Sequence, residues 1–172
     1  MGYAFLAVIA VALVESIVSG FWAPFYFRWG IPLYRRTIPY VSSRRPELDA
    51  EALTGKFARR AVVSLVFQSL RPGYIAFRER IIQVTLIHYT PIMHGLIRLD
   101  DRDAAVTVVG HANIWPLCFA AVWVSFCFTE GMIAPARVLF LGILPLALGF
   151  CYAIQASRFS GVCREIERRL GA

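Results

Sequence analysis

The chain has 172 residues, is 58% hydrophobic with a mean hydropathy of +0.60, and carries a formal net charge of +7. That composition reads as an integral membrane protein with room for one modest unit outside the bilayer. The positive excess sits in two blocks, residues 28–113 (net +6) and 158–172 (net +2), with no nucleic-acid recognition motif beside it. Lys and Arg collect on the cytoplasmic flanks of membrane spans, so both blocks are expected in the cytoplasm and no nucleic acid is needed to explain the charge.

The first apolar run, residues 3–27, contains a single charge, Glu15, before Arg28. About 20 apolar residues cross a bilayer core, so this run predicts a first transmembrane helix with Glu15 near its middle. Met1-Gly2-Tyr3 brings no positive charge, and the run reads as a retained helix, not a cleaved signal. Its end is aromatic and basic. Trp22, Tyr26 and Trp29 with Arg28, Arg35 and Arg36 are expected to anchor the chain at the cytoplasmic interface, which puts the N-terminus outside. Pro24, Pro32 and Pro39 oppose a long helix beyond that point.

Residues 46–60 suggest a short helix or a helix leading into a strand. Tyr74–Arg80 and the β-branched run Ile81–His88 follow the turn signal Arg71-Pro72-Gly73, and Met93–Leu99 and Ala104–Gly110 flank an acidic, turn-prone segment. Two β-favouring runs around a short polar turn predict a hairpin, and residues 28–113 therefore read as a small, mostly antiparallel β-rich α+β cytoplasmic unit. Ile81–Ile97 lacks charge, yet Gln83, His88, Thr90, Pro91 and His94 suit a strand better than lipid. Residues 114–133 and 137–157 predict a second and third transmembrane helix joined by a short link, and 158–172 a basic amphipathic cytoplasmic tail with Phe159, Val162, Ile166 and Leu170 on one face, either lying on the anionic leaflet or continuing the third helix. The fold class is thus a three-helix integral membrane protein with the β-rich unit between its first and second helices, in the cell (inner) membrane, the C-terminus cytoplasmic.

Small residues recur every four positions on the first helix at Ala4, Val8, Ala12, Ser16 and Gly20, with Glu15 and Ser19 beside them. Such a stripe permits close helix approach, so Glu15 is expected to face protein. Two roles suit a carboxyl there: proton or cation handling, or a hydrogen bond that fixes helix association. The second is the preferred reading. It expects Glu15→Gln to be nearly normal and Glu15→Leu to weaken assembly modestly. No basic side chain of this sequence lies at matching depth, so any charged partner would have to come from another chain. His88, His94 and His111 are weak metal candidates, since their spacing matches no metal signature. Asp100, Asp101 and Asp103 read as a solvated turn. Cys118, Cys127, Cys151 and Cys163 show no short Cys-x-x-Cys spacing.

No catalytic motif or cofactor-binding pattern is present. The leading reading is a non-enzymatic membrane protein: an assembly or accessory subunit, or a homo-oligomeric scaffold, with a cytoplasmic docking unit and anionic lipids at its cytoplasmic face. The alternatives are a channel or transporter component built on Glu15, and a lipid-binding or lipid-modifying protein at the interface.

Overall fold

A computed structural model describes residues 2–28, 30–40, 48–58, 64–79, 92–100, 104–128 and 134–171. The elements in order are α1 (Gly2–Gly20), α2 (Pro24–Arg28), β1 (Pro32–Pro39), α3 (Ala50–Ala58), β2 (Leu65–Arg71), β3 (Tyr74–Glu79), β4 (Met93–Asp100), β5 (Ala105–Ala112), α4 (Ile114–Cys127) and α5 (Ala134–Leu170). The expected β-rich unit is a five-stranded antiparallel sheet in the order β1-β5-β4-β3-β2. The expected hairpin is β4 paired with β5, Leu96 opposite Val109 and Leu99 opposite Val106. His88 and the rest of 80–91, with Asp101 and Asp103, lie outside the described residues.

Alternation along the strands gives the sheet two unlike faces. One carries Ile38, Val106, Val108, Ile97, Phe77 and Phe67, which form the core with Leu53 and Phe57 of α3 and Phe159, Val162, Cys163 and Ile166 of α5. Gly95 and Gly110 are opposite each other on this face because rings lie on them. A Cβ on Gly95 would stand 2.1 Å from Phe77 Cζ, and one on Gly110 2.5 Å from Phe159 Cε2. α3 starts at Asp49, whose carboxylate accepts from the backbone N–H of Glu51 and Ala52. Thr54 then hydrogen-bonds both the N–H and the carbonyl of Phe67, covering part of the free edge of β2.

β1 was not expected. Its prolines stand at its two ends, and as an edge strand it pairs on one side alone, with β5. α4 is 14 residues long, about 21 Å at 1.5 Å per residue, shorter than the 114–133 span expected. Residues 129–133 lie outside the described set. α5 runs unbroken for 37 residues, through Pro145, from the apolar segment into the tail. The tail is thus a continuation of that helix, and its apolar face is taken by the sheet and not by a leaflet: Phe159, Val162 and Ile166 are all 2% exposed or less.

Two helices, α1 from Tyr3 and α5, are long and apolar enough to cross a membrane, and in each only 11% of the apolar window is buried. Large side chains such as Leu13, Ile17, Leu139, Leu146 and Phe150 are exposed. α1 ends, α4 begins and α5 meets the strands all on the same side, next to the sheet.

Candidate functional site

The helices and the sheet meet at a buried polar cluster centred on Glu15. α1 stops in a tight turn: Trp22 takes φ 55°, the N–H of Trp22 bonds Ser19 and the N–H of Ala23 reaches back to Val18. A left-handed Trp is strained, and the site compensates by stacking it on Phe27, 5.3 Å between ring centres, beneath the Arg78 guanidinium at 4.8 Å. The turn folds α2 back, so that the Tyr26 hydroxyl donates to Glu15 Oε1 at 2.6 Å. The same oxygen accepts from the Ile114 N–H at 2.9 Å, and Oε2 from the Trp115 N–H at 2.8 Å.

Glu15 therefore caps α4 from a distance of about a hundred residues. The first N–H groups of a helix have no partner within it and carry its positive dipole end, so a carboxylate there satisfies both needs. Asn113, the residue before α4, makes no capping bond with its own side chain. The partners of Glu15 within the chain are uncharged: the Tyr26 hydroxyl and two backbone N–H groups. All three of its partners are donors, which suits an acceptor-only carboxylate better than an amide. On that ground Glu15→Gln is expected to be weaker than wild type, where the sequence alone suggests a near-normal protein.

Of the small-residue stripe, Val8 is buried and Ala12, Ser19 and Gly20 are half-buried, whereas Ala4 and Ser16 are exposed. The face of α1 turned to protein is the helical row through Val8, Ala12, Glu15 and Ser19, so Glu15 lies within the contact face and not beside it.

His94 extends the cluster. It stacks on Tyr26 at 4.2 Å, donates from Nε2 to the Tyr26 carbonyl at 3.0 Å, and places Nδ1 2.9 Å from Asn113 Oδ1. His111 lies 5.7 Å from it, ring to ring, 8% exposed. Burial, then the neighbouring His94, push the His111 imidazole below its ordinary value, against a hydrogen bond with the Phe27 backbone. Gly30, at φ 133°, brings its backbone close enough that a Cβ would stand 3.1 Å from that of His111. Among the described residues no three His, Cys, Asp or Glu side chains converge as a metal site.

Two further clusters were not foreseen. Gln155, fully buried on α5, accepts from the Ile92 N–H and donates to Glu79 and the Met93 carbonyl, with Arg158 3.3 Å from Glu79. A lone glutamine in the apolar run 138–156 was the available signal. Glu165 joins α5 to α3 through Lys56, with Arg168 and Arg169 beside it.

The expected interface anchors have separate fates. Tyr26 and Trp22 belong to the cluster, and Arg36 pairs with Glu167 of α5 at 2.6 Å. Trp29 lies outside the described residues. Arg28 and Arg35 line a groove of about 560 Å³ on the second face of the sheet, with Arg98, Asp100, Tyr74 and Thr107, and His111 at the end nearest the helices. Comparison of the chain with models of protein families, with curated proteins and with solved structures gave no match.

Proposed function

We propose that this chain is an integral protein of the cell membrane that performs no chemistry of its own. It serves as an assembly or accessory subunit, or as a homo-oligomeric scaffold, holding a cytoplasmic sheet against the bilayer. The apolar, exposed lengths of α1 and α5 support the membrane location. Their sheet-side ends, with the arginines, support an outside N-terminus and a cytoplasmic sheet. In this reading α4 and α5 form a helical hairpin, across which the Trp123 indole N–H donates to the Phe140 carbonyl at 2.9 Å.

The observation that carries the structural role is the engagement of Glu15 by three donors from two other elements. A carboxylate so held joins α1 to α2 and to the start of α4, which supports a bracing role over transport. The test is the purified full-length chain in lipid nanodiscs and in proteoliposomes. A defined oligomer with no proton or cation flux is expected. A monomer rules out the homo-oligomeric scaffold and leaves the accessory subunit, whereas flux that Glu15→Gln abolishes while the protein stays folded overturns the proposal in favour of transport.

A further inference from the structure

The second face of the sheet is covered at its helix-side end, where Tyr26 and Phe27 of α2 pack on Ala76 and Leu96, and is open over Arg35, Thr37 and Arg98. On it Arg35, Val109 and Leu96 form one cross-strand row, and Thr37, Thr107 and Arg98 the next. Strands stand about 4.8 Å apart and next-nearest residues about 6.8 Å along a strand, which puts the Cα atoms of Arg35 and Arg98 roughly 12 Å apart, within mutual reach of two arginine side chains over a small anion. Tyr74, directly opposite Arg98, has the Arg71 guanidinium 4.0 Å and the Arg28 guanidinium 5.8 Å from its ring centre. Thr37 and Thr107 bring their hydroxyls 3.4 Å apart on the floor. Among the lining residues the sole acid is Asp100, and Arg98 holds it at 2.9 Å. Among the described residues no carboxylate pairs with Arg28 or Arg35.

We propose that this groove seats the phosphate of an anionic phospholipid headgroup. Charge complementarity selects an anion, and guanidinium groups with hydroxyls are the usual partners of phosphate. Position selects a lipid over a soluble anion. The groove's inner end, at Arg28 and His111, adjoins the sheet-side ends of the apolar helices. Exposed Phe25, at 64%, and Ile31, at 59%, flank Arg28 in sequence and give acyl chains an apolar margin beside the charge. His111 Nδ1, buried and without a partner, is a further polar group at that inner end. The site rests on the membrane reading above and adds a partner to it.

The test uses the full-length chain in nanodiscs of phosphatidylcholine with phosphatidylglycerol, the lipids retained on release being counted by native mass spectrometry. Wild type is expected to retain phosphatidylglycerol above its share of the bilayer. Arg28→Gln and Arg35→Gln should each cut that enrichment about fivefold. Arg164→Gln, which removes the same charge from an exposed site on α5, should leave it unchanged. Circular dichroism confirms that the variants are folded. Loss in Arg164→Gln equal to that in the groove variants means diffuse surface charge and overturns the proposal. So does enrichment that survives the Arg28→Gln/Arg35→Gln double variant, and so does soluble glycerol phosphate binding as tightly as the intact lipid. Labelling of Tyr3→Cys and Glu51→Cys from opposite sides of sealed vesicles, in a cysteine-free background, reports on the membrane reading separately. A chain that passes this labelling without lipid preference loses the groove alone.

Discussion

Replacement of Glu15 separates a capping joint from a passive polar residue. In Glu15→Leu the N–H groups of Ile114 and Trp115 lose their acceptor, while the Tyr26 hydroxyl can turn to Asn113 Oδ1, 3.3 Å away. A buried donor left bare costs about 1–3 kcal/mol. Loss of a negative charge at a helix N-terminus adds about 0.3–1 kcal/mol. Polar contacts between helices in lipid average nearer 0.6 kcal/mol, so the lower half of the range applies and Leu should cost about 3 kcal/mol. In Glu15→Gln the amide oxygen can keep Tyr26 and Ile114, but its NH₂ then faces the Trp115 N–H, donor against donor. One donor is orphaned instead of two, and the cost should be about 1–2 kcal/mol. Unfolding in mixed micelles, followed by tryptophan fluorescence, measures both. Hydrogen exchange at Ile114 and Trp115 should quicken in the order wild type, Gln, Leu. Equal stability of the three proteins, or a larger loss in Gln than in Leu, would refute the capping argument.

Two further outcomes follow from the sheet and its helices. Gly95→Ala sets a methyl where the Phe77 ring lies, and Phe77 is itself wedged by Phe67 at 5.2 Å and Phe159 at 4.8 Å; the loss should be about 1–3 kcal/mol, read as a lowered melting temperature and partly recovered by adding Phe77→Leu. An unchanged melting temperature would mean the ring has room to move. Hydrogen bonds from Arg168 first, then Lys56 and Arg169, outweigh burial and hold the Glu165 carboxyl well below the usual carboxylate range. A depressed value stabilises the fold above the unfolded value, about 4.3, and the benefit fades as pH falls below it. The melting-temperature gap between wild type and Glu165→Gln should therefore be widest near neutral pH and close in acid. A gap independent of pH would sink that assignment.

Some of this protein was legible residue by residue. The long apolar run from Tyr3, with its single charge, is enough to define α1, and β-favouring runs on either side of an acidic turn are enough to define the β4–β5 pair, because both signals are local. β1 was hidden, since Pro32, Pro39 and the two arginines lower its strand propensity; pairing with β5 supplies what propensity lacks. Glu15 stood out at once as a polar residue in an apolar run, but besides Tyr26 its partners are backbone N–H groups, which have no side-chain signature and lie about a hundred residues away. The two arginines at 35 and 36 look alike in sequence, yet the alternation of β1 sends one to the open groove and the other to Glu167. The stripe Phe159, Val162, Ile166 carried the same ambiguity. Helical spacing determines that such a face will leave water, and only the packed sheet decides that protein, not lipid, covers it.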